Sequence, residues 1–159
     1  MKIKELYRYI ALVFIVSLIQ GSICAQVKYE NVNKSTYVFD NSKCVVYNKN
    51  AKRAIAREIV TEGFDIQKNS IVKDVFREVL SNQRIRELKG EKLAVMFECD
   101  NKGNVENVKF IFTKTPFLTP AEINKIETIL LSKKFIVKSN LSSGVGIRFS
   151  IPCFLSRIQ

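Results

Sequence analysis

The sequence predicts an α+β fold: a three-stranded antiparallel or mixed sheet packs on two helices, and a small β-rich segment precedes them. Two observations predict this class. The chain has 159 residues, of which 47% are hydrophobic, and this suits one globular domain with its own core. From residue 70 onward, apolar residues follow helical and strand periodicities in the order helix, strand, strand, helix, strand. Six Gly and three Pro exclude collagen-like and Pro-rich low-complexity chains.

Residues 1–25 have the pattern of a secretory signal. The basic residues Lys2, Lys4 and Arg8 precede an apolar run over 10–16, and Ala25 is a small residue at the expected cleavage site. Cleavage after Ala25, an uncleaved signal anchor and lipidation at Cys24 remain three open interpretations, since a membrane span needs about 20 residues, with about 17 as the lower limit. All three place residues 26–159 outside the cytoplasm, in the periplasm or cell envelope.

The part of the chain after this signal is strongly basic. Removing residues 1–25 takes away three cations and one anion, which lowers the net charge from +11 to +9. A charge of this size favours contact with anionic envelope surfaces or acidic partners. We expect no nucleic-acid partner, because the basic residues are spread among acidic ones instead of forming one stripe.

Residues 26–69 are expected to form an N-terminal extension of the main domain, 70–159. Residues 26–33 are polar and are predicted to be a short tether. The β-rich runs 36–39 and 44–47 flank the turn residues 40–43 and predict a hairpin. Residues 50–60 suit a helix or a strand equally well.

The main domain begins with an amphipathic helix. Apolar residues form one stripe at helical spacing: Ile71, Val72, Val75, Phe76, Val79, Leu80. Ser70 lies at the N-cap position, and Ile85 and Leu88 continue the stripe. Leu93, Val95, Phe97 and Cys99 then share one face of a strand. Turn residues 100–104 include Gly103 and lead into a return strand over 108–112.

A second helix and a closing strand complete the domain. Thr119, Pro120 and Glu122 form a capping box with Pro at the first helical position, and Lys133 and Lys134 are expected in the last turn. Residues 145–153 alternate as a half-buried strand. Because the crossover must be right-handed, this last strand should run parallel to the second strand and lie beside the first, which becomes the centre of the sheet.

These residues resemble the C-terminal domain of TonB-like proteins, the periplasmic modules that contact outer-membrane transporters. The motif is Phe97-x5-Gly103-x-Val105-x2-Val108, followed by a capped helix and the terminal Ile151–Phe154, which is similar to the family's I-P-x-F. The similarity covers about residues 70–155. Residues 26–69 contain no Pro and therefore lack the Pro-rich spacer of a transducer, so the chain resembles a stand-alone, degenerate member.

The resemblance implies a protein-binding module that pairs an extended peptide, such as one from an outer-membrane transporter, with its last strand. The residues it carries over are Ile147, Arg148, Phe149, Ser150 and Ile151. Arg148 and Ser150 are expected to face the partner, while the apolar three belong to the core. Two alternatives stay open. The 36–47 hairpin closes this edge itself, or the chain is an exported structural or assembly protein that forms a homodimer through the same edge and has no transporter partner.

The composition argues against an enzyme. The chain has no His, which excludes His-based acid–base catalysis, Ser-His and Cys-His pairs, and His-containing metal sites. Cys44, Cys99 and Cys153 lack C-x-x-C spacing, and they form either one disulfide plus a thiol or three buried thiols. Glu98 and Asp100 are expected on the solvent-facing side of a strand. We therefore expect neither a catalytic site nor a metal or cofactor.

Overall fold

The computed structural model describes residues 27–51, 58–63, 65–66, 70–138 and 141–158. It contains three helices, α1 (Ile71–Val79), α2 (Asn82–Glu87) and α3 (Pro120–Leu131), and a 3-10 turn at Leu155–Arg157. The strands are β1 (Val27–Val32), β2 (Ser35–Asp40), β3 (Val45–Asn48), β4 (Ile59–Val60), β5 (Asp65–Ile66), β6 (Lys92–Asp100), β7 (Val105–Phe112), β8 (Val137–Lys138) and β9 (Gly146–Phe154).

The α+β class is confirmed, but the main sheet is larger than predicted. It has seven strands in the order β1-β2-β3-β7-β6-β9-β4, whereas the sequence predicted three. Strands β5 and β8 form a separate two-stranded sheet. The prediction fell short because the extension, 26–69, supplies four strands to the same sheet, and periodicity within the main domain does not reveal that pairing.

The predicted core of the sheet is confirmed. Strand β6 lies between β7 and β9 and is antiparallel to both, so β7 and β9 run parallel to each other, as the crossover rule requires. The face of the sheet that packs on α1 and α3 is called the inner face, and the opposite face the outer face. Leu93, Val95, Phe97 and Cys99 are all buried on the inner face.

The N-terminal hairpin is confirmed, and it joins the sheet at β7. Val46 of β3 pairs with Phe110, and Phe39 of β2 pairs with Val46. The predicted tether over 26–33 is wrong, because residues 27–32 form the edge strand β1, paired along its whole length with β2. Its polar composition is compatible with a strand, since an edge strand with one solvated face needs few apolar residues.

The first predicted helix is two helices. Helix α1 ends at Val79, Leu80 is extended, and the hydroxyl of Ser81 accepts a hydrogen bond from the backbone N–H of Arg84 to start α2. The apolar stripe still reaches the core, because Val72, Val75, Phe76, Leu80 and Ile85 are buried in it. Ser70 occupies the N-cap position of α1, but its hydroxyl bonds the Asp74 carboxylate and makes no backbone cap.

The capping box of α3 is confirmed. The Thr119 hydroxyl accepts from the N–H of Glu122, and the Glu122 carboxylate accepts from the N–H of Thr119. Lys133 and Lys134 lie beyond the helix instead of in its last turn, because α3 ends at Leu131 and Ser132 is its C-cap.

A buried polar contact joins the hairpin to α3. The hydroxyl of Tyr37 donates to Glu127, and the amide of Asn48 donates to the same carboxylate oxygen at 3.2 Å. Tyr37 is fully buried and Glu127 is 3% exposed. The hairpin therefore contributes core residues to the same interior as the helices of the main domain.

The question of the cysteines is resolved in favour of thiols. Cys44, Cys99 and Cys153 are all free thiols, but only Cys99 and Cys153 are buried as expected, because Cys44 is half-buried. Burial raises the pKa of Cys99 to about 12 and that of Cys153 to about 11, so both stay protonated and pack as small apolar residues.

The signal at 1–25 and the central part of the ambiguous segment at 50–60 lie outside the described residues. The end of that segment, Ile59–Val60, is the short strand β4. Within the described ranges, no helix has both the length and the apolarity to cross a membrane.

Candidate peptide-binding edge

The five predicted site residues all lie on β9, at one side of the sheet. Ile147 and Ile151 are buried on the inner face, and Phe149 between them is half-buried. Arg148 and Ser150 lie on the outer face, as expected from strand alternation, and Ser150 is exposed.

The short strand β4 covers only the beginning of this edge. Ile59 pairs with Gly146 and Val60 with Ile147, both parallel. Among the described residues, no strand lies beside the remaining stretch, 149–154. That stretch is about 20 Å long at about 3.3 Å per residue.

Two hydrogen bonds establish which backbone groups point outward. The N–H of Gly146 donates to the carbonyl of Glu58 at 2.7 Å, away from β6, and the N–H of Leu155 donates to Glu91 at 3.3 Å, on the β6 side. Backbone groups alternate in direction along an antiparallel strand. The backbone N–H and C=O groups of Ser150 and the C=O groups of Arg148 and Pro152 therefore point to the open side.

Pro152 is consistent with this assignment. A proline lacks the N–H group that a central strand needs, and it is found in sheets where that group would face solvent. At an outward-facing position of β9 its ring costs the β6 ladder no hydrogen bond. A peptide added here would lose one bond opposite Pro152 and keep those to Ser150.

The alternative in which the 36–47 hairpin closes the β9 edge is wrong. The hairpin pairs with β7, on the opposite side of β6, through Val45–Tyr47 and Lys109–Ile111. The inward-facing apolar side chains of β2 and β3 there extend the core over the inner face of β7. The β9 edge is therefore left to the two-residue strand β4.

An aromatic cluster holds β9 in place. The ring of Phe149 stacks on Phe97 at 5.3 Å between centroids and meets Phe135 edge-to-face at 5.0 Å. Phe97 and Phe135 also pack edge-to-face at 4.9 Å. Such pairs add stabilisation beyond burial of area, so the candidate site lies on a strand that is anchored in the core.

Arg148 was predicted to face a partner, but its side chain is already bound within the protein. Its Nη2 and Nε donate to Oε1 of Glu98 at 2.8 and 3.1 Å across β6 and β9, and the Nζ of Lys109 lies 3.7 Å from the same oxygen. Glu98 is 8% exposed, so the expectation that it is solvated is also wrong. Side chains of both neighbouring strands, Asn107 and Lys109 of β7 and Arg148 of β9, contact its carboxylate.

The charge of Glu98 is maintained by these neighbours. Burial by itself raises the pKa of this carboxyl, but hydrogen bonds from Asn107 and Arg148 and the charges of Lys109 and Arg148 outweigh it, so the pKa of Glu98 lies below its ordinary value. Glu98 is therefore an ionised carboxylate on the outer face.

Sequence reasoning missed this cluster, although a signal for it exists. Asn107, Glu98 and Arg148 lie directly opposite one another across β7, β6 and β9. Once the register of the three strands was set by their apolar residues, the opposite charges at one cross-strand position could have been paired. Within the described ranges, no group of three or more acidic or cysteine side chains could hold a metal ion.

Comparison with known proteins finds a solved structure of similar fold. The chain matches no protein-family model and no curated protein. It is similar in structure to a crystal structure of a DUF5043 family protein from Bacteroides uniformis, with a TM-score of 0.63 and 16% sequence identity, over 81% of this chain and 85% of that one. At this identity the similarity concerns the fold alone.

Proposed function

We propose that this protein is an exported, non-enzymatic binding module of the cell envelope that pairs an extended peptide of a membrane protein with the open edge of β9. The observation that carries the proposal is the stretch 149–154, whose outward backbone groups have no strand beside them in the described part of the chain. The sequence resemblance to TonB-like C-terminal domains supports the same edge, and the signal pattern at 1–25 supports export.

The chemistry of this edge suits strand addition. Main-chain hydrogen bonds supply affinity in this mode, and side chains at alternate positions supply specificity. Ser150 offers a donor and an acceptor, and the half-buried Phe149 offers apolar surface to an inward-facing partner side chain. Free edges are a liability in soluble proteins unless they are protected or used. The exposed Pro152 limits uncontrolled pairing without closing the edge.

Substitution of Ser150 tests the proposal directly. Ser150→Pro removes the outward N–H and leaves the β6 ladder intact, whereas Ser150→Ala keeps the backbone and serves as the matched control. Both changes are made in the full-length chain in its native cells, with a photo-cross-linking residue at the exposed position 152. We expect a cross-link to a membrane protein in the parent and in Ser150→Ala, and its loss in Ser150→Pro.

Capture of the same membrane protein by Ser150→Pro at parental yield would contradict the proposal. A cross-linking residue at Lys125, on the exposed side of α3, controls for proximity alone and should capture nothing from the membrane. The intact mass of the purified protein reports separately whether residues 1–25 have been removed.

Self-association is a second candidate function, and β1 favours it. This six-residue strand is the other edge of the sheet, and its Val27 and Tyr29 are 43% and 58% exposed. Two antiparallel edges of this kind can pair around a two-fold axis. Sedimentation velocity across a range of concentrations would then show a dimer, and the cross-links from position 152 would be absent or would join two copies.

A further inference from the structure

The outer face of the sheet carries a cavity that the binding edge does not use. Its volume is about 630 Å³, within the range of roughly 300–1,000 Å³ that is typical of small-molecule sites. Strands β1, β2, β3, β6, β7 and β9 all contribute to it, together with Ile59 of β4 and residues just after β3. We call it the outer-face cavity.

Two rows of side chains form its surface. The row Tyr29, Val38, Tyr47 and Lys109 crosses β1, β2, β3 and β7 at directly paired positions. This row is apolar and aromatic at one end and cationic at the other. The second row is the cluster of Asn107, Glu98 and Arg148, of which Asn107 and Glu98 are buried and Arg148 is partly exposed.

The cavity has an excess of positive charge. Four cationic side chains and two carboxylates are among the described residues that line it: Lys43, Lys49, Lys109, Arg148, Asp40 and Glu98. Both carboxylates are already occupied by the chain's own donors. Asp40 accepts from the Ser42 hydroxyl at 2.6 Å and from the N–H of Lys43 at 3.1 Å, and Glu98 has the partners given above.

The cations, in contrast, have donors to spare. Arg148 uses Nε and Nη2 on Glu98, and Nη1 has no acceptor among the described residues. Lys109 lies 3.7 Å from Glu98, beyond hydrogen-bond length, and Lys49 lies 5.3 Å from the centroid of the Tyr29 ring. The Nζ of Lys43 lies 3.5 Å from Oδ2 of Asp40, and this side chain is 77% exposed, so it keeps further donors as well. An anion entering the cavity would therefore be attracted by donors that the internal carboxylates do not use.

One buried acceptor points to a hydroxyl-bearing ligand. Asn107 is 9% exposed and lines the cavity, and its Nδ2 donates to Glu98 at 3.1 Å. Its Oδ1 is buried and finds no donor within the part of the chain that the structure describes. Buried polar atoms are seldom left without a hydrogen bond, so an O–H or N–H group of a ligand would supply the missing donor.

From these features we infer that the outer-face cavity binds a small hydroxyl-bearing organic anion with a ring-shaped body, typically an acidic sugar. The acid group lies near Lys49, Lys109 and Arg148, and Lys43 at the other end of β3 adds to the positive field. The ring lies against Tyr29 and Tyr47, and a hydroxyl donates to Asn107. Of the five residues predicted for peptide binding, Arg148 takes part through its side chain, whereas Ser150 and the open backbone of β9 do not. A failure of the peptide-binding proposal would therefore leave this inference standing.

Binding of matched probes to the full chain tests this inference. Glucose 6-phosphate and glucuronate carry both the ring and the charge, glucose lacks the charge, and inorganic phosphate lacks the ring. Titration calorimetry should show binding of at least one of the two acidic sugars, about tenfold or more tighter than glucose and phosphate, and weaker at high salt. Chemical shifts of the Tyr47 and Lys109 amides should move with the same affinity.

A pair of double variants with equal net charge locates the site. Lys43→Gln with Lys49→Gln should weaken acidic-sugar binding about tenfold. Lys125→Gln with Lys138→Gln, at exposed positions on α3 and β8, should leave it within about twofold. Circular dichroism confirms that both remain folded. A third arm uses phosphatidylglycerol vesicles, which present an anionic surface in place of a free sugar.

Three outcomes would overturn the inference. The first is that neither acidic sugar binds or that glucose binds equally well. The second is equal weakening in the two double variants, which would indicate a general charge effect. The third is charge-dependent binding to the vesicles without binding of soluble sugars, which would assign the basic outer face to a membrane surface.

Discussion

Gly103 is the residue whose replacement the structure forbids most clearly. It has φ +84°, and a Cβ there would lie 2.1 Å from the carbonyl oxygen of Phe135, in the segment that follows α3. The N–H of Phe135 donates to the carbonyl of Gly103 at 2.9 Å, so the turn cannot withdraw without breaking this contact. We expect Gly103→Ala to lower the free energy of unfolding by about 3 kcal/mol or more.

Gly144 provides the matched control for this prediction. It has φ +94°, but nothing lies within 4 Å of the position that an alanine Cβ would take. Gly144→Ala should therefore lower the free energy of unfolding only by the strain of a left-handed backbone, about 1–2 kcal/mol. Urea unfolding of both variants measures the difference. Equal losses would show that the turn moves away from Phe135 at little cost.

Glu127 makes the stability of the protein depend on pH. Burial raises the pKa of this carboxyl, and the hydrogen bonds from Tyr37 and Asn48 offset the rise only in part. A carboxyl with a raised pKa in the folded state stabilises fully below its unfolded pKa of about 4.3, and this contribution is lost as pH rises through the folded value. We expect Glu127→Gln to gain in stability relative to the parent between pH 4 and pH 8.

Thermal or urea unfolding of both proteins across this range measures the effect. The difference between their free energies of unfolding removes the contribution of the other titrating groups. A glutamine side chain still accepts from Tyr37 and Asn48, so the variant should fold. Parallel stability curves for the two proteins would contradict the raised pKa.

At the scale of elements, the two helix starts make a contrast that mutation can measure. Thr119 caps α3 through its hydroxyl, and Ser70 precedes α1 without a backbone cap. Thr119→Ala should cost about 1 kcal/mol, and Ser70→Ala less than about 0.5 kcal/mol, in urea unfolding. A larger loss for Ser70→Ala would mean that its bond to Asp74 does the work of a cap.

The sequence predictions were accurate for elements that depend on residues close together in the chain and less accurate for the others. The capping box, the 93–99 strand and the turn at Gly103 depend on neighbours within a few residues, and all three are confirmed. The break between α1 and α2 was missed because the apolar stripe continues across it. Only the hydroxyl of Ser81 marks the second start, and serine is also common elsewhere in helices.

For the molecule as a whole, the hairpin and the main domain share one core. Tyr37 and Val46 are fully buried, and removal of β1–β3 would uncover the Phe110 side of β7 and the Glu127 carboxyl. We expect the fragment 51–159 to lose cooperative unfolding and to aggregate, as judged by near-ultraviolet circular dichroism and gel filtration. A monomeric fragment with a single unfolding transition would show that 70–159 folds without the hairpin.

At the candidate site too, features set by neighbouring residues were predicted correctly, and contacts with distant segments were not. Alternation along 145–153 correctly placed Ile147 and Ile151 inside and Ser150 outside. The prediction that Arg148 faces a binding partner was wrong, because its side chain bonds Glu98, which lies 50 residues earlier in the chain. The pairing of the hairpin with β7, and the stretch of β9 that has no strand beside it among the described residues, depend on contacts between segments far apart in the chain.

The α+β class, the succession of α1, β6, β7, α3 and β9, and the inward faces of β6, β7 and β9 were all predictable from the amino-acid sequence. They follow from side-chain spacing over one or two turns of a helix or a few residues of a strand. Three features could be seen only in the folded protein: the hairpin pairs with β7, Glu98 is buried between two cations, and the outer-face cavity exists. Each of these depends on contacts between segments distant in the chain, whose free energy is the sum of many small terms and is recorded in no local pattern.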